Sequence, residues 1–488
     1  MWIVRSLRKH KGTFKPILSN LGFLFQISGI FILPSIIYAF VVDEVRTATA
    51  LLTTALIFMA SGFLLNTLSE KKTLNMKQSS ILLILYYTLA PLISSVSYLS
   101  LHIFEGNFLD QLLNSWFETS SAMSTTGLTL LEGVTMPRSM ILARAMTEWG
   151  GGIGIIFILL SNFYPSRSLF HYGKVLGIEK VTSNYKKSFM TVLGIYIFYT
   201  LIFSGALILS GLDVFTGFQL TFTILSSTGL TIVNVMNLPL AVLVIITVMM
   251  LFSALSFSFH TKLVSSIFKR DWKDFASYIS DWRRLAVKEL LLYVLFLGFS
   301  TTIFAFLSRL DPYRAFFHIV DMSSSCGLNV VPFDKIGDAG KTFLTLVMLI
   351  GPCSFSVGGG IRMIRVYILG KALYESPKIL LRGQRLRIKL EDEYLKASDF
   401  MIHLLIIILY IGISFFSAIV LCNYGYTFSD ALVESVSAIT TTGDSPKTLT
   451  PSLPWTPKIL LGIQMLLGRI EIIPLLIALS PIKERPKS

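Results

Sequence analysis

A chain of 488 residues with 53% hydrophobic and only 14% charged residues falls outside the ordinary soluble class, in which about a quarter of residues are charged. Its mean hydropathy of +0.69 points the same way, to a membrane protein. The formal net charge of +14 would suit nucleic acid, but 32 of the 42 Lys and Arg fall in residues 1–16, 69–77, 165–187, 262–288, 362–396 and 483–488. Threading the chain with its N-terminus inside puts all six segments on one face, the positive-inside asymmetry of a multi-pass protein, and argues against a nucleic-acid partner.

Taken in chain order, stretches free of Lys, Arg, Asp and Glu cover 17–42, 47–68, 78–104, 188–212, 238–261 and 400–429. Each reaches the roughly 20 residues that cross a bilayer as a helix. Less uniform stretches at 145–164, 290–308, 342–361 and 459–480 bring the expected count to ten spans. Arg5, Arg8, Lys9 and Lys11 precede the first stretch as they would in a signal peptide. It is too long for a signal core and no small-residue cleavage pattern follows, so it is expected to be retained. Cys326, Cys353 and Cys422 lie in or beside apolar segments and form neither a disulfide framework nor a metal knuckle.

Four related segments recur between spans: SAMSTTGLTL from Ser121, TILSSTGLTI from Thr223, DMSSSCGLNV from Asp321 and SAITTTGDSP from Ser437. Their glycines, Gly127, Gly229, Gly327 and Gly443, are 102, 98 and 116 residues apart, always on the cation-poor face. Glu118 and Glu434 each precede their glycine by nine residues. Ser, Thr and Gly also build external turns. Here, however, short apolar helices such as WFETSSAM and FQLTFTIL lead into the glycines, and an external turn has no use for a buried approach helix. Irregular backbone at membrane depth is tolerated where protein shields it or where it lines an aqueous cavity. Four such segments around one axis give a ring of carbonyls able to replace the hydration shell of a cation. Glycine supplies positive φ there, and each approach helix aims its partly negative C-terminus at the ion.

Further along, Gly351-Pro352, Ser354, Ser356 and Gly358-Gly359-Gly360 interrupt an apolar segment. Proline removes a donor and glycine weakens a helix, so a break at membrane depth is expected. Arg469 stands in an otherwise apolar helix, where an ionisable group faces the protein interior or a partner. Glu471, two residues on, does not share its helical face, which leaves an acid elsewhere, such as Glu148, as a structural alternative. Gly150–Gly154 imitates a dinucleotide fingerprint, but no strand precedes it, and close helix packing explains the glycines better. The histidines at 10, 102, 171, 260, 318 and 403 have no metal-ligand spacing.

These features resemble the Trk/Ktr/HKT superfamily of potassium transporters from about residue 78 to the end, and the TrkH/TrkG type in particular because two further spans precede that point. The resemblance rests on the four hydroxyl-glycine signatures, EWGGGIGIIFIL from Glu148, LIGPCSFSVGGGIRMIRV from Leu349 and LLGRIEIIPLL from Leu466. It implies an all-α integral membrane protein of four pseudo-repeated helix–pore loop–helix units around a central pore. The expected parts are an extension at 1–77 and repeats at 78–187, 188–285, 286–396 and 397–488.

The resemblance also implies that backbone carbonyls hold potassium at Thr125, Thr126 and Gly127, at Ser227, Thr228 and Gly229, at Ser325, Cys326 and Gly327, and at Thr441, Thr442 and Gly443. Glycine rather than serine at position 127 favours potassium over sodium. Cys326 departs from the usual Thr or Ser, so only its backbone is expected to act. Asp444 either draws cations to the outer mouth or is a solvated loop acid. The gate implied is the loop containing Gly351, Pro352, Ser354, Ser356, Gly358, Gly359 and Gly360, together with Arg469.

Potassium is then the substrate, with no organic cofactor in this chain, and the chain is no enzyme. Its implied partners are a second copy in a homodimer, a cytoplasmic nucleotide-binding TrkA-like subunit and membrane lipids. The location is the cytoplasmic (inner) membrane with both termini cytoplasmic. A sodium- or proton-coupled symporter is the alternative within transport, and a membrane-embedded transferase the alternative outside it. The symporter wants buried acids, of which the sequence offers few beyond Glu148 and Glu471. The transferase wants an acidic or His/Asp cluster, and the sequence offers none.

Overall fold

The computed structural model describes residues 11–67, 74–132, 134–163, 185–282, 284–382, 388–390, 393–447 and 449–481. Among them the regular structure is helical apart from one antiparallel pair, Lys389–Leu390 with Glu393–Tyr394, so the all-α class holds. The described residues pack as two compact units. One is drawn from Met1–Thr125, Thr129–Leu169 and Leu449–Ser488, and the other from Thr126–Leu128 and Phe170–Thr448.

The first unit holds α1 (Lys11–Val41), α2 (Val45–Thr67), α3 (Met76–Leu101), α4 (Phe108–Met123), α5 (Arg138–Phe163), α17 (Trp455–Ile470) and α18 (Ile472–Leu479). Helices α1 and α2 approach at paired glycines: a β-carbon on Gly22 would lie 2.5 Å from the Gly62 carbonyl oxygen. Small residues allow this in lipid, where close packing replaces the hydrophobic drive between helices. Helix α3 starts on a capping box in which Asn75 accepts from the Gln78 N–H and Gln78 accepts from the Asn75 N–H. Gly462 lets α17 close on α4, since a β-carbon there would lie 2.5 Å from the Trp116 ring.

The second unit holds α6 (Tyr185–Leu209), α7 (Val214–Leu225), α8 (Leu240–Ala254), α9 (Phe257–Lys269), α10 (Trp272–Ser280), α11 (Leu285–Ser308), α12 (Pro312–Ser324), α13 (Asp338–Ile350), α14 (Met363–Arg382), α15 (Ala397–Cys422) and α16 (Phe428–Ile439). Along the sequence a long helix, a short helix, an irregular segment and another helix follow one another four times, with α4, α7, α12 and α16 as the short members. Large apolar side chains such as Phe299 and Phe306 on α11 stay exposed, as a lipid-facing surface allows.

Among the described residues six helices are long and apolar enough to cross a membrane, or eight if each of two bent pairs makes one span. This departs from the ten uniform spans expected, for three reasons. The stretches 238–261 and 459–480 are broken: α8 and α9 meet at 113°, and α17 and α18 at 93°. Ser256 caps the new helix α9 by accepting from the Phe259 N–H, and Glu471 takes φ +65° at the second break. The stretch 342–361 ends as helix at Ile350, and 145–164 belongs to α5, whose side chains from residue 155 onward lie outside the described residues.

Candidate ion-conduction site

Each short helix opens on a side-chain cap: Asn107 accepts from Asp110 N–H, Asp213 from Thr216, Asp311 from Arg314 and Thr427 from Asp430. Such caps satisfy donors that the first turn leaves free. Each then runs into backbone with two positive-φ residues two positions apart. These are Thr125 (+53°) and Gly127 (+97°), Ser227 (+56°) and Gly229 (+75°), Ser325 (+62°) and Gly327 (+73°), and Thr441 (+53°) and Gly443 (+88°). Non-glycine residues persist in this region only where surrounding structure holds them.

Within the second unit the four glycines form a closed cycle. A β-carbon on Gly127 would collide with the Thr228 carbonyl oxygen, one on Gly229 with that of Cys326, one on Gly327 with that of Thr442, and one on Gly443 with that of Thr126. Each glycine therefore abuts the carbonyl preceding the next loop's glycine, in sequence order and back to the start. Conformation and space both require glycine at all four positions. A second equivalence lies two residues earlier. The side chains of Thr125, Ser227, Ser325 and Thr441 are all buried there, and Ser227 lies against the Cys326 thiol.

The other side chains of the signatures turn away. The hydroxyls of Thr228 and Thr442 pair with Ser226 and Thr440 at 2.8 Å. The Cys326 thiol faces the Ile224 carbonyl at 3.6 Å and Ser253 Oγ at 3.8 Å. One buried side chain per short helix ties down the strand leaving its glycine. Glu118 accepts from Thr129 Oγ1 (2.9 Å) and from the Leu130 N–H, and Gln219 Nε2 donates to the Leu230 carbonyl (2.6 Å). Asp321 accepts from the Leu328 N–H (2.8 Å) and Glu434 from Ser445 Oγ (2.5 Å). The shared spacing of Glu118 and Glu434 carried a signal of this role. Gln219 and Asp321, ten and six residues before their glycines, carried none.

Asp444 is buried and lies against Asn329 and Asp321, so it is not a solvated loop acid. Buried carboxyls are also more numerous than expected, since Glu118, Glu289, Asp321, Glu434 and Asp444 join Glu148.

The glycine-rich segment breaks its helix as expected, and residues 351–362 run between α13 and α14 without helix. Positive φ at Gly351, Phe355, Gly360 and Arg362 shapes the turn. It lies against the ends of two short helices: a β-carbon on Gly358 would stand 2.7 Å from the Ser324 carbonyl oxygen. One on Gly359 would collide with the Thr440 carbonyl and stand 2.5 Å from Thr441 Oγ1. Glu289 of α11 holds the loop by accepting from the Ser354 N–H at 2.7 Å. The Ser356 hydroxyl donates to the Cys353 carbonyl (2.6 Å), and the Met363 N–H donates to the carbonyl of Pro352 (3.0 Å).

In the first unit Arg469, 5% exposed, donates through Nη2 to the carbonyls of Gly151 (2.7 Å) and Gly152 (3.3 Å) on α5. The same glycine run lets α5 close on the end of α4, because a β-carbon on Gly151 would lie 2.5 Å from the Met123 carbonyl oxygen. Glu148, offered as a partner for Arg469, lies 3.8 Å from Arg144, which also approaches Glu118 at 3.9 Å.

The sequence profile of the TrkH family, described as cation transport protein, matches residues 47–488. An uncharacterized cation transporter of Methanocaldococcus jannaschii is 28% identical over 96% of each chain. The Trk system potassium uptake protein TrkH of Escherichia coli K12 is 25% identical over 62% of this chain and 63% of its own. The crystal structure of the potassium transporter TrkH from Vibrio parahaemolyticus superposes with a TM-score of 0.82 at 21% identity, over 96% of this chain and 99% of that one. The chain belongs to the TrkH family of cation transport proteins.

Proposed function

We propose that this chain takes up potassium across the cytoplasmic membrane through the ring of four loops. The observation that carries the reading is the closed glycine–carbonyl cycle, with a buried hydroxyl at the equivalent place in every loop. A dehydrated monovalent cation is coordinated well by several neutral oxygens in fixed array. Here those are the carbonyls at Thr125–Gly127, Ser227–Gly229, Ser325–Gly327 and Thr441–Gly443. The four helix C-termini add partial negative charge at no desolvation cost to a carboxylate. Potassium as the ion is supported by the similarity to the Escherichia coli relative, a potassium uptake protein of the Trk system.

The loop at 351–362 acts as the gate, because it rests on the Thr440 carbonyl and the Thr441 hydroxyl. Arg469 contributes a fixed positive charge that opposes a cation when the path is closed. A homodimer, a TrkA-like nucleotide-binding subunit and an inner-membrane location with cytoplasmic termini complete the reading, the last supported by the cation distribution. The membrane-enzyme alternative is set aside, because the family is one of transporters.

Expression in cells that lack potassium uptake tests the reading: growth at low potassium returns with the wild-type chain and not with Gly443→Ala. Failure of the wild type to restore growth or potassium content, despite membrane expression, overturns it. The buried acids, above all Asp321 against Asp444, favour proton coupling as a second reading. In that case a pH gradient alone drives potassium into vesicles.

A further inference from the structure

Helix α8 has 15 residues, about 22 Å of rise, less than the roughly 30 Å of a bilayer core. The chain then turns through 113° into α9 and continues as α10, so an apolar span ends in a helical hairpin. Lys262 of α9 donates to both carboxylate oxygens of Asp274 on α10 at 3.0 and 2.9 Å, and this bond holds the Asp274 carboxyl below its ordinary range. Tyr278, His260 and Val264 are buried. The opposite side is apolar and uncovered. Trp272, Phe275, Ala276 and Ile279 follow helical spacing on α10. Phe268, Trp272 and Trp282 are 70%, 58% and 60% exposed. Lys269, Arg270 and Lys273, all exposed, stand among them with one exposed acid, Asp271, which leaves the patch net basic.

The same hairpin is bonded to the intramembrane loop. The Phe257 N–H, at the start of α9, donates to the Phe355 carbonyl at 3.0 Å. The Cys353 N–H donates to the Ala254 carbonyl at 3.1 Å, and the Val357 N–H to that of Ser253 at 3.4 Å. The Phe257 and Phe355 rings pack edge to face at 5.8 Å. The Cys353 and Val357 bonds fasten the loop to the end of α8, and the Phe257 bond and ring contact link the start of α9 to the middle of the loop.

We propose that the α9–α10 hairpin docks on anionic lipid headgroups and, through Phe257–Phe355, makes the position of the intramembrane loop responsive to that lipid. Tryptophan and phenylalanine beside lysine and arginine suit the bilayer interface, where rings enter the acyl boundary and cations meet phosphate. An anionic leaflet adds attraction at each basic residue. The charge of the exposed face selects an anionic lipid surface, and its continuity with an apolar span places it at lipid. The functional consequence rests on the reading of the loop as the gate, but the docking and the loop response do not.

The test uses the full chain in vesicles of phosphatidylcholine with or without phosphatidylglycerol. Tryptophan emission lost on replacing Trp272 and Trp282 by Phe is expected to be quenched at least about twofold more by brominated phosphatidylglycerol than by brominated phosphatidylcholine. Amide exchange across 351–362 is expected to shift when phosphatidylglycerol is added. Both responses disappear in the Lys269→Gln, Arg270→Gln, Lys273→Gln variant, which leaves the hairpin's apolar face intact. Equal quenching by the two lipids overturns the selection of anionic headgroups, and no quenching by either overturns docking on lipid and leaves the face to a protein partner. Exchange that ignores lipid, or responds equally in the triple variant, overturns the coupling. Neither readout needs ion flux, so an inactive pore does not decide them.

Discussion

Gly443 and Gly127 close the cycle of loops: a β-carbon on Gly443 would lie 2.8 Å from the Gly127 Cα and would collide with the carbonyl oxygen of Thr126. Both residues also hold positive φ, +88° and +97°. An alanine at either position is expected to meet backbone strain of about 1–3 kcal/mol in addition to the collision, and neither relaxes without displacing a carbonyl of the ring. Gly443→Ala and Gly127→Ala therefore reduce potassium flux by about tenfold or more, with protein still in the membrane. Isotope uptake corrected for expression checks this, and full uptake in either variant removes the ring from the conduction path.

Asp321 holds the Leu328 N–H at 2.8 Å just beyond Gly327. Asp321→Ala leaves that buried donor unpaired, a cost of about 1–3 kcal/mol, while Asp321→Asn keeps an acceptor. The alanine variant is expected to melt earlier and to lose discrimination between potassium and sodium, and the asparagine variant to recover much of both. Thermal unfolding in detergent and reversal potentials under mixed ions measure the pair. Matching behaviour of the two variants contradicts the tie.

Glu289 reaches from α11 to the Ser354 N–H at 2.7 Å. If the loop blocks the path, loosening it raises the leak. Glu289→Ala is expected to raise basal potassium flux about threefold or more and Glu289→Gln to raise it less, since a hydrogen bond to a charged acceptor contributes about 1.5–3 kcal/mol and to a neutral one about half that. Reduced flux in Glu289→Ala with unchanged expression would indicate that the loop must be held for conduction.

Lys458 is 2% exposed, and its Nζ donates to Asn114 Oδ1 and the Pro451 carbonyl, both at 2.6 Å. These bonds fasten the start of α17 to α4. Lys458→Met orphans the buried Asn114 acceptor, water being able to replace the bond to the exposed Pro451, and is expected to lower stability by about 1–3 kcal/mol while leaving ion selectivity intact. A denaturation midpoint equal to wild type contradicts this.

The four loops and the break at Gly351–Gly360 were legible because their signals are local. A hydroxyl run ending in glycine repeats four times, and proline with clustered glycine marks a helix that cannot continue. The bends after α8 and α17 were not: Ser256 interrupts an apolar run with no proline beside it, and Pro474 after Glu471 marks a helix start only once the cap residue's positive φ is seen. The ties from Gln219, Asp321 and Glu289 depend on partners in space, 11, 7 and 65 residues away in sequence. Arg469 was visible as a costly charge in an apolar helix, but its carbonyl partners at Gly151 and Gly152 were hidden in a glycine run that sequence alone assigns to packing. Asp444 read equally as an acid that draws cations to the outer mouth and as a solvated loop acid, because its neighbours in sequence are polar, whereas it is buried beside Asp321 and Asn329.

The central claim is that the ring of loop carbonyls is a potassium-selective path. It is tested most directly by cation flux into proteoliposomes containing this chain alone, with potassium or sodium as the sole permeant ion, for the wild type and for Arg469→Ala. The account predicts potassium flux at least about tenfold above sodium, in the wild type if the gate opens unaided and in Arg469→Ala if it does not. Equal potassium and sodium flux, or no flux in either protein, contradicts it.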